Sequence, residues 1–345
     1  MAMPRLRPVF FIFGLLLILL SVAMLVPALV EWSFGHGDAD EYFASAAIPL
    51  FLGGMLVFSQ REARIELRPR QAYVMTALAW IVTPLFAGMP FMFTDLGLSP
   101  VDAYFEAVSG LTTTGSTVIA SLELVRPGAL IWRSILQWLG GIGIIVMAIA
   151  ILPVLRVGGM QLLRTESSER SDKILPRPGQ FAASVGGIYL GLTALCAIAY
   201  RTADMNWFEA INHAMTTLAT GGFSTRDSSL GGFSAAAQWW AILFMTTGAL
   251  PFGLYVRAVH GDRRPLLQNT QVRTLTLLLL ATGLAFAVTA YFKSGVGWLE
   301  ALRHGLFTTT TIVTTTGYAS TDYQLWGAFA GGLALLLTFV GGCTG

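Results

Sequence analysis

Residues 106–115 read Glu-Ala-Val-Ser-Gly-Leu-Thr-Thr-Thr-Gly, and a related stretch occurs twice more in the chain. Residues 213–222 read His-Ala-Met-Thr-Thr-Leu-Ala-Thr-Gly-Gly, and residues 308–317 read Thr-Thr-Thr-Thr-Ile-Val-Thr-Thr-Thr-Gly. Aligned without gaps, these stretches end on glycines that are 107 and 95 residues apart. Self-similarity at a regular spacing indicates a repeated structural unit.

Each repeated stretch lies between long apolar segments. A bilayer core needs about 20 apolar residues per helix. Candidate membrane spans are 9–30, 42–58, 71–93, 134–155, 178–200, 234–256, 274–292 and 323–345. The segments that contain the repeats are too short or too broken by glycine to cross, which is typical of re-entrant or buried helices. They are 103–116, 207–223 and 298–318. The repeated unit is therefore predicted to be a span, a short helix, a Thr/Gly loop and a second span.

The composition excludes an ordinary soluble protein. Of 345 residues, 54% are hydrophobic and 12% are charged, about half the charged share of a typical soluble domain. The formal net charge of +2 gives no strong field for a polyanion, so nucleic acid is not an expected partner. The two cysteines lie in apolar runs and no Cys/His metal spacing occurs, so no cofactor is expected.

The distribution of Arg and Lys predicts the orientation in the membrane. With the N-terminus in the cytoplasm, the inner segments hold 15 basic residues and the outer segments hold 6. Positive residues concentrate on the cytoplasmic side of membrane proteins. The N-terminus is therefore predicted to be cytoplasmic, and all three repeated loops fall on the outer side.

A Thr/Gly loop at the end of a short buried helix can bind a dehydrated cation. Backbone carbonyls replace the water shell of the ion if the chain is extended, and glycine allows the necessary dihedral angles and close approach. A single such loop is more often a packing feature, but three aligned copies favour a pore. A secondary transporter with broken helices remains the alternative, although that class often has inverted repeats. An intramembrane enzyme is not favoured, because no nucleophile–base pair or metal motif is present.

The chain resembles the Trk/Ktr/HKT superfamily of potassium transporters, and most closely its Trk-type members, which carry an additional leading pair of spans. The residues that carry the resemblance are 105–115, 219–225, 314–319 and 341–345. It implies an all-α polytopic membrane protein with helix–pore helix–loop–helix units around a pseudo-four-fold pore. The implied domains are a helix pair at 1–60 and pore repeats at 61–156, 157–260 and 261–345, the third incomplete.

The resemblance also implies the functional residues. The ion-lining selectivity filter would comprise Thr113, Thr114, Gly115, Ser116, Thr220, Gly221, Gly222, Phe223, Thr315, Thr316, Gly317 and Tyr318. An intramembrane gate would comprise Gly341, Gly342, Cys343, Thr344 and Gly345. Potassium is the expected substrate, since some sodium-selective relatives carry serine where this chain has Gly115.

Two departures from the superfamily pattern matter. The second loop reads Thr-Gly-Gly-Phe, so the choice between Gly221 and Gly222 as the principal glycine depends on alignment. Only three loops occur where the superfamily has four, so we expect the sequence to be a truncated form of a longer protein with a fourth loop.

The resemblance implies a bacterial inner-membrane protein that forms homodimers. It also implies a cytosolic nucleotide-binding regulatory subunit of the TrkA type, for which the basic inner segments 61–70, 156–177 and 257–273 would be the accessible surface. Membrane lipid is the remaining expected partner.

Three ionisable residues in the short segments have alternative interpretations. Glu106 could bond the neighbouring loop backbone or could simply concentrate cations at the outer mouth. His213 and His304 could relay protons, although a histidine bonded to nearby backbone is the commoner arrangement.

Overall fold

The computed structural model describes residues 6–35, 37–61, 69–155, 178–262, 264 and 268–341. The regular structure of these residues is helical. The α-helices are α1 (Arg7–Phe34), α2 (Ala39–Ser59), α3 (Pro69–Ile81), α4 (Thr83–Ala87), α5 (Met89–Phe93), α6 (Pro100–Leu111), α7 (Pro127–Leu155), α8 (Pro178–Thr202), α9 (Trp207–Leu218), α10 (Ala235–Gly248), α11 (Phe252–Val259), α12 (Thr270–Ser294), α13 (Trp298–Val313) and α14 (Ala328–Thr338). Short 3₁₀ turns lie at Leu122–Leu124, Ser229–Gly232 and Tyr323–Trp326.

The chain forms two compact units. The first draws its described residues from Met1–Thr112, Ser116–Leu136 and Met147–Leu175. The second draws them from Thr113–Gly115, Gln137–Val146 and Pro176–Gly345. The three residues Thr113–Gly115 thus belong to the same unit as the second and third repeated loops.

Helix length and hydropathy show a multi-pass membrane protein. Among the described residues, α1, α2, the segment Arg70–Phe93, the segment Ala182–Thr202 and α12 are each long and apolar enough to cross a bilayer. The predicted span 134–155 lies within the 29-residue helix α7, which begins earlier, at Pro127. The predicted short helices are α6, α9 and α13.

Three of the predicted spans are not continuous helices. The span predicted at 71–93 is divided into α3, α4 and α5. The span predicted at 234–256 is the pair α10 and α11, which are bent by 90° relative to each other. Pro251 lies at the break, where its missing N–H and its ring prevent continuation of the helix. In the described part of the span predicted at 323–345, the 3₁₀ turn Tyr323–Trp326 is followed by the 11-residue helix α14, which ends at Thr338.

Glycine allows α1 and α2 to pack closely in the first unit. A β-carbon built on Gly14 would lie 2.8 Å from the carbonyl oxygen of Gly53, and one built on Gly53 would also meet the carbonyl oxygen of Gly14, at 2.6 Å. Ser21 donates a hydrogen bond of 2.7 Å to the carbonyl of Ala46 in the same interface. Small residues and interhelical hydrogen bonds commonly hold membrane helices together.

We expect Gly53→Leu to destabilise the protein by about 1–3 kcal/mol, because the new side chain has to displace α1 from α2. Gly54→Leu is the matched control, since no described atom lies within 4 Å of a β-carbon on Gly54. Unfolding of the purified protein in mixed micelles measures both. Equal stability of the two variants would contradict the close packing of this pair.

Candidate functional site

Each of the three short helices ends at a repeated loop, and two of them begin with a side-chain cap. At α6 the Ser99 hydroxyl accepts a hydrogen bond from the backbone N–H of Asp102, at 3.2 Å. At α9 the Asn206 side chain accepts from the N–H of Glu209, whose carboxylate accepts in return from the N–H of Asn206, which is a capping box. The opposite end of each helix carries a partial negative charge, which favours a cation near the loop.

The three loops share positive φ angles at two corresponding positions. We name them loop 1 (Thr113–Gly115), loop 2 (Thr220–Gly222) and loop 3 (Thr315–Gly317). The first threonine of each has a positive φ, 54° at Thr113, 49° at Thr220 and 60° at Thr315. The last glycine has φ of 80° at Gly115, 78° at Gly222 and 83° at Gly317. A β-branched residue is rare in the left-handed region, so a threefold repetition of this geometry marks a functional constraint rather than chance.

This geometry resolves the alignment of loop 2. Gly222, and not Gly221, has the positive φ that Gly115 and Gly317 share. The N–H of Gly222 lies 3.4 Å from the carbonyl oxygen of Thr216, and the N–H of Gly317 lies 3.4 Å from that of Thr311. Gly222 is therefore the structural equivalent of the glycines that end loops 1 and 3.

Neighbouring loops contact each other through their backbones. A β-carbon on Gly115 would overlap the carbonyl oxygen of Gly221, and one on Gly222 would overlap the carbonyl oxygen of Thr316. In both cases the carbonyl belongs to the residue before the glycine of the next loop. At Gly317 no described atom lies within 4 Å of such a β-carbon, so a side chain there is opposed by the positive φ alone.

The fully buried side chain of Gln137, on α7, contacts loop 2. Its Nε2 donates to the carbonyl of Gly221 at 2.6 Å, and its Oε1 accepts from the N–H of Phe223 at 3.0 Å. Gln137 is not among the residues predicted from the sequence. The sequence does show a glutamine within an apolar span. Polar side chains at membrane depth are costly and commonly mark functional positions, so this glutamine could have been identified as a candidate.

The buried residue Tyr318, which directly follows loop 3, contacts α9. Its hydroxyl lies 2.5 Å from the Thr216 Oγ1 and 3.1 Å from the Thr217 Oγ1, and it donates to the carbonyl of His213 at 3.2 Å. The aromatic side chain of Tyr318 therefore connects the end of loop 3 to the helix that precedes loop 2.

Comparison with known proteins places the chain in a family. The family model TrkH, described as a cation transport protein, matches residues 39–345. The chain belongs to the TrkH family. The chain is 43% identical over 343 residues to the Trk system potassium uptake protein TrkI of Halomonas elongata, covering 99% of this chain and 70% of that relative. It is 38% identical over 347 residues to the Trk system potassium uptake protein TrkH of Vibrio parahaemolyticus, covering 98% and 72%.

A solved structure supports the same membership. The crystal structure of the potassium transporter TrkH from Vibrio parahaemolyticus matches with a TM-score of 0.88 and 35% sequence identity. The match covers 99% of this chain and 71% of that one. The all-α membrane fold predicted from the sequence is thereby confirmed.

In this TrkH-family chain the carboxylate of Glu106 is buried and paired within the first unit. It forms an ion pair of 2.7 Å with Arg133, and both side chains are at most 1% exposed. It also accepts hydrogen bonds from the Thr117 hydroxyl at 3.0 Å and from the Val118 N–H at 3.2 Å. Glu106 therefore braces the segment that follows loop 1, and the alternative in which it concentrates cations at the surface is wrong.

The two histidines are also bonded within the protein. His213 stands nine residues before Gly222, as Glu106 does before Gly115, and its ring bonds the Glu209 carbonyl at 2.8 Å and the Ser224 hydroxyl at 3.0 Å. His304 bonds the hydroxyl of Ser320 at 2.9 Å. These contacts favour a structural role for both rings over a proton relay.

Of the remaining predicted site residues, some lie within the described part of the chain and some lie outside it. The carbonyl of Ser116 accepts from the Ser109 hydroxyl at 2.5 Å, and Phe223 is buried. Gly341 is exposed, in the non-helical segment after α14. The other predicted gate residues, Gly342, Cys343, Thr344 and Gly345, lie outside the described residues.

Removal of one partner of the buried ion pair should be costly. We expect Glu106→Ala to destabilise the protein by about 3–5 kcal/mol, because the charge of Arg133 is left buried without its carboxylate. The double variant Glu106→Leu with Arg133→Met should recover much of that loss, since no buried charge remains.

The control for this prediction is Arg257→Ala. Arg257 pairs with Asp262 at 3.0 Å, and the two side chains are 62% and 49% exposed, so its loss should cost less than about 1 kcal/mol. Unfolding of the four proteins in mixed micelles provides the comparison. A Glu106→Ala variant as stable as Arg257→Ala would refute the importance of the buried pair.

Proposed function

We propose that the chain is the ion-translocating part of a Trk-type potassium uptake system and that potassium passes along loops 1, 2 and 3. The observation that carries the proposal is the threefold repetition of one unusual loop backbone, packed loop against loop. Backbone carbonyls held at fixed spacing can replace the water shell of potassium. The relatives named above are potassium uptake proteins, which supports potassium as the substrate.

The proposed ion-lining residues are those predicted from the resemblance. Thr113–Ser116, Thr220–Phe223 and Thr315–Tyr318 supply the backbone of the filter, and Gly341–Gly345 form a gate. Each pore repeat, at 61–156, 157–260 and 261–345, contributes one loop. Irregular backbone at membrane depth is tolerated where it is buried or lines water, which is consistent with a pore.

The alternative of an ion-coupled transporter for another solute is less well supported. The three repeats are predicted to have the same orientation in the membrane, whereas secondary transporters often have inverted repeats. The relatives described above are named as potassium uptake proteins. The same names argue against an intramembrane enzyme.

The proposed location is the bacterial inner membrane, with the N-terminus in the cytoplasm. The excess of Arg and Lys in the inner segments supports this orientation. The proposed assembly is a homodimer that binds a cytosolic nucleotide-binding subunit of the TrkA type. The proposed docking surface for this subunit is the set of basic inner segments 61–70, 156–177 and 257–273. Parts of it lie outside the described part of the chain: residues 62–68, 156–177, 263 and 265–267.

Substitution of the filter glycines by serine should reduce the preference for potassium over sodium. For Gly115→Ser and Gly317→Ser we expect about a tenfold loss, equivalent to about 1.4 kcal/mol, because a side chain at positive φ disturbs the carbonyls beside it. The effect of Gly115→Ser should be the greater, since Gly115 also packs against Gly221. Potassium uptake with competing sodium, in cells without other potassium transporters, measures the preference.

Gly54→Ser is the control for the filter glycines. Gly54 lies on α2, with no described atom within 4 Å of a β-carbon, and its substitution should leave the preference unchanged. Wild-type preference in both filter variants at normal expression would show that these glycines do not line the ion path.

The proposed partner can be tested by copurification. We expect the protein, expressed from its natural gene, to retain its TrkA-type subunit at low salt and to lose it as salt is raised, because exposed charge contacts are screened. Failure to copurify at low salt would refute the proposed contact with basic inner segments.

A further inference from the structure

The side chain of Gln137 forms hydrogen bonds with the residues on both sides of Gly222. It lies on α7, 84 residues before Gly221, and is fully buried. Its amide nitrogen donates to the carbonyl of Gly221 and its amide oxygen accepts from the N–H of Phe223. The single side chain therefore ties the residue before the glycine to the residue after it.

We propose that Gln137 positions loop 2 and thereby contributes to the discrimination between potassium and sodium. The inference rests on the proposed function, since the position of loop 2 affects selectivity only if the loop lines the ion path. Gln137 is a positioning residue. It acts through the backbone of Gly221 and Phe223.

The two hydrogen bonds are expected to be decisive because Gly221 and Phe223 are both buried. A buried carbonyl or N–H that loses its partner keeps the full cost of its desolvation. Loop 2 is thereby confined to the arrangement in which both groups meet the Gln137 amide. Selectivity for an ion depends on the number and field of its carbonyls, so a loop that can shift discriminates less.

The sequence of loop 2 shows the same dependence. Loops 1 and 3 carry Thr114 and Thr316 at the place that Gly221 occupies in loop 2. A β-carbon on Gly221 would lie 2.5 Å from the Gln137 Oε1 and 2.7 Å from its Nε2. Glycine at residue 221 therefore leaves the space that the Gln137 amide occupies. A threonine there, as in loops 1 and 3, would overlap the amide.

A different side chain connects the end of loop 3 to the helix that precedes loop 2. There the hydroxyl of Tyr318 bonds α9, through Thr216 and Thr217. Gln137 thus serves the junction of loops 1 and 2, where the carbonyl of Gly221 lies against Gly115.

Two substitutions of Gln137 test the proposal. Gln137→Met keeps the length of the side chain and removes both hydrogen bonds, whereas Gln137→Asn keeps the amide but shortens its reach. We expect each to lower the preference for potassium over sodium about threefold to tenfold, equivalent to about 0.7–1.4 kcal/mol, because the backbone groups of loop 2 lose hydrogen-bond partners that fix their position. The measurement is potassium uptake over a series of sodium concentrations, with the natural gene expressed in cells that lack other potassium transporters.

Gln238→Met is the matched control. Gln238, on α10, is also buried, and its Nε2 donates to a backbone carbonyl at 3.0 Å, but that carbonyl belongs to Leu230 in the Ser229–Gly232 turn. Its substitution removes a buried hydrogen bond of the same kind and should leave the ion preference unchanged. Gly221→Ala approaches the same contact from the loop and should lower the preference as the Gln137 variants do, and Gln137→Asn decides the question if Gln137→Met does not accumulate.

Gly222→Ser, measured in parallel, separates this inference from the proposed function. A changed preference in Gly222→Ser with wild-type preference in Gln137→Met, Gln137→Asn and Gly221→Ala would overturn the role of Gln137 alone. An equal loss of preference in Gln238→Met would also overturn it, since the effect would then follow from general destabilisation. Wild-type preference in every variant, Gly222→Ser included, would refute the filter itself.

Discussion

The contact on which the candidate site depends is a backbone carbonyl against a glycine. The carbonyl oxygen of Gly221 lies where Gly115 would carry a side chain, and that of Thr316 lies in the same way against Gly222. Neighbouring loops can approach this closely only where the earlier loop has no β-carbon. Gly115 and Gly222 are therefore required both by their positive φ and by the loop beside them, whereas Gly317 is required by its positive φ alone.

Buried polar side chains maintain this arrangement in place of water. Gln137 and Tyr318 bond the backbone or the hydroxyls of neighbouring segments in the second unit, and Glu106 with Arg133 braces the segment after loop 1 in the first. A buried polar group without a partner is costly, and a partly satisfied network is worse than an apolar core. The polar residues that flank the loops thus serve to orient backbone groups.

The membrane imposes the second constraint on the fold. Backbone groups in the bilayer have to be satisfied within the protein, so the crossing segments are helices. Helices in lipid gain little from apolar contact and associate through small residues, as Gly14 and Gly53 do between α1 and α2. The bend between α10 and α11, with Pro251 at the break, shows that an apolar segment of sufficient length is not always a straight span.

Three local properties can be seen in the sequence: hydrophobic length, the repeated Thr/Gly stretches and the distribution of Arg and Lys. From these properties the sequence by itself determined the membrane class, the three short helices and the glycines at 115 and 317. The sequence could not choose between Gly221 and Gly222 as the principal glycine of loop 2, because either residue can be aligned with Gly115 and Gly317. In the structure Gly222 has a positive φ and Gly221 does not. Nor could the sequence assign Gln137 to loop 2 or pair Glu106 with Arg133. These contacts join residues 84 and 27 positions apart, and no local pattern specifies which distant side chain reaches a given backbone group. The tertiary structure decided them, because a buried amide or carboxylate is stable only where folding brings its complementary donors and acceptors within hydrogen-bonding distance.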